Sequence, residues 1–119
     1  MFDSTTTEQG LYAEGLALNY LQSQGMRLLT RNYKIKGGEI DLIMELGETL
    51  VFVEVRARES FEDIHPFETV TKAKQARIIR TAKHFLWTHD RLDTCPCRFD
   101  VIAVNLSTET MEWVSDAFY

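Results

Sequence analysis

The sequence predicts an α/β fold, a mixed sheet between helices in the order α-β-β-β-α-β-β. Three observations predict it. Two helical apolar patterns enclose three consecutive strand patterns. Two of those strands flank Gly47-Glu48, which reads as a hairpin turn. The run Phe99–Val104 is almost continuously apolar, as in a central strand covered on both faces.

The elements follow in order. Thr5 and Glu8 stand three apart, as in a capping box. Leu11, Ala17, Leu18 and Leu21, with Tyr20 beside them, continue at helical spacing, and Gly25 marks the end of this helix. Gly10 and Gly15 weaken it by about 1 kcal/mol each relative to alanine, and would allow close approach of another backbone. A short strand is expected near Arg27–Tyr33, followed by a turn over Lys34-Ile35-Lys36-Gly37-Gly38. Strands are expected over Glu39–Glu45 and from Thr49 to about Arg58; Gly first in the turn between them suits type II′. Residues 59–69, with Pro66, read as a loop. A second helix is expected from about Thr69 to Thr88, with Ile78, Ile79, Ala82, Phe85 and Leu86 inward and Lys74, Arg77 and Arg80 on roughly the opposite face. Asp90–Pro96 reads as a loop, and Met111–Val114 as a short edge strand.

At 119 residues, 45% of them apolar, the chain suits one domain over 1–119 with one core. Only two prolines and six glycines exclude low-complexity disorder. No apolar run approaches the ~20 residues of a membrane span, and the N-terminus lacks the pattern of a secretory signal. The two cysteines are one residue apart and make no disulfide framework. A cytoplasmic domain is expected.

The net charge of −5 argues against a protein that coats duplexes nonspecifically. The charge is segregated, however. Residues 37–70 hold 2 basic and 9 acidic side chains, a net −7, whereas residues 71–98 hold 7 and 2, a net +5.

The hairpin carries the most chemical information. With Gly47-Glu48 as a two-residue loop, Leu46 faces Thr49, Asp41 faces Glu54 and Glu39 faces Arg56. Ile40, Leu42 and Met44 then share an apolar face with Val51, Val53 and Val55. The other face sets Ile43 against Phe52 and gathers the charges at one end. An odd register would mix charges into the apolar face. Directly opposed side chains have Cβ atoms about 4.5–5.5 Å apart, where like charges destabilise. Arg56, on the same face as Glu54, would neutralise one carboxylate. A divalent cation would serve both, since Mg²⁺ takes one or two carboxylates plus waters and phosphate oxygens. The simpler alternative is a solvated sheet face with a Glu39–Arg56 ion pair.

Gly38-Glu39-Ile40-Asp41-Leu42-Ile43 and Val51-Phe52-Val53-Glu54-Val55-Arg56-Ala57-Arg58 resemble the signature of the YraN-like group, uncharacterised protein family 0102. So do Glu14-x-x-Ala17-x-x-Tyr20-Leu21, Arg31-Asn32, Lys74 with Arg77 and Ala82, and Arg98-Phe99-Asp100-Val101-Ile102. That family resembles the restriction-endonuclease-like superfamily, which implies a mixed four- to five-stranded sheet flanked by helices. The resemblance implies phosphodiester hydrolysis on DNA or RNA, with Asp41, Glu54 and Arg56 catalytic. It implies Mg²⁺ or Mn²⁺ on Asp41 and Glu54, with Glu14 in the outer shell. Lys74, Arg77 and Arg58 would bind nucleic acid, and a small nuclease cutting two strands would often be a homodimer. The superfamily's lysine is Arg56 here, which cannot act as a general base but can hold a phosphate or an oxyanion. The family's Phe-Gly is Phe61-Glu62 here. The alternative reading is a silent nucleic-acid-binding or protein-interaction module that retains the fold.

Other features carry simpler readings. Cys95 and Cys97 with His84 and His89 fit no standard zinc spacing. The basic residues of the second helix would suit either a solvated face or phosphate contact. Trp87 and Trp113 are expected to pack in the core or at an edge rather than stack on bases.

Overall fold

The computed structural model describes residues 8–59, 70–91 and 95–118. Its elements are α1 (Glu8–Ser23), β1 (Arg27–Ile35), β2 (Gly38–Leu46), β3 (Thr49–Arg58), α2 (Lys72–Thr88), β4 (Cys97–Asn105) and β5 (Thr110–Phe118). The five strands form one sheet in chain order. Only β3 and β4 pair in parallel, joined across α2; the other neighbours are antiparallel. The α/β class, the mixed sheet and the element order are those expected. Thr5 and most of the expected loop, with Phe61, Glu62, His65 and Pro66, lie outside the described residues.

The two helices cover opposite faces. On one, Ala13, Ala17 and Leu21 of α1 pack with Leu42, Met44, Val51, Val53 and Val55. On the other, Ile78, Ala82, Phe85 and Leu86 of α2 pack with Ile43, Leu50, Phe52 and Phe99. Small side chains let α1 lie close to the sheet, so its buried stripe is Gly10, Ala13, Glu14, Ala17 and Leu21, while Leu11 is exposed. Gly15 faces open space, contrary to the expected close approach. Gly25 ends α1 with a φ of +94°, and Met26 N–H donates to Leu21 O, the bond of a Schellman cap. Helix α2 starts later than expected: the Thr71 hydroxyl accepts from Lys74 N–H and caps it.

The hairpin register holds from Leu46–Thr49 to Leu42–Val53, and Gly47 takes the positive φ the turn requires. Beyond that point the expected alternation fails. Ile40 belongs to the α2 side, not to the face of Leu42 and Met44. Two local events account for it. Asn32, between the Arg31–Leu42 and Tyr33–Ile40 pairs, adopts a φ of +52° and kinks β1. Val55 N–H, which a continued ladder would give to Ile40, donates instead to Asp41 Oδ2 at 2.8 Å. The β2 and β3 strands therefore fork at Asp41.

Gly38 closes this end of the sheet against α2. A Cβ there would sit 2.1 Å from Thr81 Oγ1 and 3.3 Å from Arg77 O. Thr81 is fully buried and stiff at χ1, with its hydroxyl bonded to Arg77 O. Gly38→Ala is expected to lower stability by about 1–3 kcal/mol. Combining it with Thr81→Ala should recover part of that loss in a denaturation double-mutant cycle. Simple additivity would show that the contact is not the cause.

Strand β5 is longer than the expected Met111–Val114. Its far half is tied down by Asp100, which is fully buried in β4. That carboxylate accepts from Trp113 Nε1 at 2.9 Å, Asp116 N–H at 2.9 Å and Arg98 Nε at 3.1 Å. Trp113 is thus an edge-packing residue, as expected. Among the described residues, no helix is long and apolar enough to cross a membrane.

Candidate functional site

The fork creates a site because it parts two strands that each carry a buried carboxylate. Asp41, at the inner end of the split, is 3% exposed, and Glu54 is 6% exposed. They are close enough to hydrogen-bond. Burial, then the charge of Glu54, hold the Asp41 carboxyl well above the usual carboxylate range. The Val55 N–H bond opposes this, and the charge of Glu14 adds to it. Glu14 comes from α1 on the other side of the fork, is almost fully buried, and lies 3.6 Å from Arg31.

This shift has a sign. Folding raises the Asp41 pKa, so the folded chain binds more protons than the unfolded chain above the ordinary carboxylate value. The contribution to stability is fully present below that value and is lost as pH rises through the raised one. In metal-free buffer, Asp41→Asn is expected to flatten the fall of melting temperature as pH rises above the ordinary carboxylate range. An unchanged profile would assign the decline to other groups.

Basic side chains close on the acids from β3 and α2. Lys74 Nζ lies 2.6 Å from Glu54 Oε2, and Arg56 approaches the same oxygen at 3.6 Å. Lys74 therefore points into the fork instead of lying on a solvated helix face. Arg80, exposed, reaches across the surface to the β1–β2 turn, donating to Gly37 O at 3.0 Å. Glu39 pairs with Lys34 of β1 at 3.4 Å. A cleft of about 640 Å³ opens onto Asp41 and Glu54, with Arg56, Arg58, Lys74 and Arg77 in its wall. Burial, then the neighbouring charge of Arg56, lower the pKa of Arg58.

The structure thus gathers Asp41, Glu54, Arg56, Arg58, Lys74 and Arg77 around one cleft, with Glu14 acting on Asp41 through its charge. Spacing on α2 indicated Lys74 but not that its amine would meet Glu54. Asn32, which helps to open the fork, was legible only as part of the Arg31-Asn32 pair. Two neighbouring carboxylates beside an open cleft suit a hard dication, whose charge would offset the burial and the repulsion that raise Asp41. Among the described residues, no three His, Cys, Asp or Glu side chains are grouped as a metal cluster. The zinc candidates are dispersed accordingly: His84 Nδ1 meets Tyr33 Oη at 2.7 Å, and His89 Nδ1 lies 2.9 Å from Phe85 O.

Residues 13–104 match the family model described as "Uncharacterised protein family UPF0102". A UPF0102 protein of Psychromonas ingrahamii is 47% identical over 113 residues, 95% of this chain and 91% of the relative. One of Coxiella burnetii is 45% identical over 114 residues, covering 96% and 94%. One of Cupriavidus metallidurans is 50% identical over 116 residues, covering 97% and 84%.

Proposed function

Since this chain belongs to the uncharacterised protein family UPF0102, we propose that its cleft hydrolyses phosphodiester bonds in DNA or RNA with the help of Mg²⁺ or Mn²⁺. The observation that carries this reading is the pair of buried carboxylates, Asp41 and Glu54, at the base of an open cleft walled by cations. Asp41 and Glu54 would hold the ion, with Glu14 behind them. When bound, such an ion supplies an activated water and offsets charge on the phosphate.

The remaining steps belong to side chains. Arg77 and Arg58 line the cleft where they can take phosphate oxygens and set the strand's register. Arg56, whose guanidinium offers several N–H donors and no acceptor, would stabilise developing negative charge. Lys74 is the amine nearest the acids, at 2.6 Å from Glu54, where it would offer a cation to a bound phosphate. By the resemblance, the superfamily's lysine position on β3 is occupied by Arg56, and Lys74 brings an amine to the acids from α2 instead.

The same contact favours a second reading. Lys74 and Arg56 together neutralise Glu54 without a metal, as in a silent module that binds nucleic acid or a protein. Incubation with labelled single-stranded, flapped and branched DNA and RNA in Mn²⁺ or EDTA separates the two. The nuclease reading expects product only with Mn²⁺. Intact substrates in Mn²⁺, with binding retained, would leave the silent module.

A further inference from the structure

Trp87 is the most exposed large apolar side chain among the described residues, at 68%, contrary to the packed position expected. It does not stand alone. Arg77, Arg80, His84 and Trp87 recur along α2 at steps of three and four, so they share one flank of the helix. That flank overlooks the edge strand β1. Tyr33 of β1 bonds His84 through its hydroxyl, and its ring packs edge-on against buried Phe85 at 5.2 Å. The His84 and Trp87 rings lie 6.2 Å apart. Tyr33, His84 and Trp87 therefore form an aromatic ledge anchored in the core.

The ledge is continuous with the cleft. Arg77 lines the cleft, and Arg80 grips the β1–β2 turn at Gly37. From Arg77 to Trp87 the helix rises about 15 Å. Helix α2 carries five basic residues and no acidic one in a chain of net charge −5. Arg77 and Lys83 have no ion pair among the described residues. A protein partner of ordinary composition would match the tryptophan but has no need of this row of cations. A polyanion with exposed flat rings matches both, because bases stack on aromatic side chains while cations follow the phosphates. Paired bases offer no free face for stacking.

We infer that the Trp87 flank of α2 is a stacking platform for an unpaired strand of nucleic acid leading into the cleft. This rests on the proposed nucleic-acid function and narrows its substrate to strands with unpaired bases, in single strands, flaps or frayed ends.

The test measures anisotropy of labelled oligo-dT, oligo-U and a duplex of equal length, in EDTA, over a range of salt. Tighter binding of the single strands than of the duplex is expected, with the dT and U arms showing whether the sugar matters. Trp87→Ala should weaken single-strand binding by about tenfold, the size of one lost stack, and leave duplex binding unchanged. Trp87→Phe should restore most of the affinity yet abolish the quenching of intrinsic fluorescence by the oligonucleotide. Arg77→Ala should flatten the salt dependence by roughly one counterion. Single-strand affinity unmoved by Trp87→Ala, or quenching that survives Trp87→Phe, would overturn the platform and leave the nuclease reading standing. Loss of self-association in Trp87→Ala with unchanged affinity would assign the flank to a second copy of the chain. Absence of binding to any nucleic acid, with or without Mn²⁺, would remove both readings.

Discussion

Asp100→Ala is expected to cost about 2–5 kcal/mol of stability, the largest loss from any single polar side chain described. The carboxylate is fully buried and accepts from Arg98, Trp113 and the Asp116 backbone. Its removal leaves the Trp113 and Asp116 N–H groups without their acceptor. The loss stays below the extreme for a buried pair because the Arg98 side chain is 26% exposed and can turn to water. Of a typical total of about 5–15 kcal/mol, this is a large fraction. Urea unfolding measures it directly. Asp100→Asn should fall between the two, since the amide oxygen keeps one acceptor. A change under about 1 kcal/mol in the alanine variant would show that β5 is held by its apolar contacts alone.

The second large effect is chemical. Asp41→Asn combined with Glu54→Gln preserves shape and removes both charges. Under the nuclease reading it should reduce Mn²⁺-dependent cleavage by roughly 10³-fold or more, because a bound metal contributes several kcal/mol to the transition state. Metal-free stability at neutral pH should change far less than activity, since relief of the like-charge contact offsets the lost pairing of Glu54 with Lys74 and Arg56. That combination separates lost chemistry from lost structure. A variant that cleaves at the parental rate would place the active groups elsewhere.

The hairpin was the most legible part of the fold. Period-two alternation and a glycine in a two-residue turn leave one register in which the apolar residues meet, and residues 42–53 follow it. The fork just beyond was not legible. It arises when the Asp41 carboxylate takes a backbone donor that strand periodicity assigns to Ile40, and when Asn32 turns left-handed. Each departs from the average rule that periodicity encodes. The same limit explains α1, where small residues rather than Leu11 face the sheet.

Site residues were legible as types and less so as partners. The closeness of Asp41 and Glu54 was expected from the register, although the paired ladder itself stops at Leu42–Val53, and the basic character of α2 followed from composition. That Lys74 reaches Glu54 depends on how α2 is seated against β2, and Gly38 and Thr81 set that seating. Trp87 falls at a helical spacing that suits packing, but no strand or helix among the described residues buries it.

The proposed hydrolysis requires Asp41 and Glu54 to form one dication site. Isothermal titration of the metal-free protein with Mn²⁺ at neutral pH tests this most directly, alongside the Asp41→Asn, Glu54→Gln variant. Saturable binding by the parent at millimolar Mn²⁺ or below, and none by the variant, is the predicted result. A parent that takes up no Mn²⁺ at those concentrations, or a variant that binds as well as the parent, would contradict it.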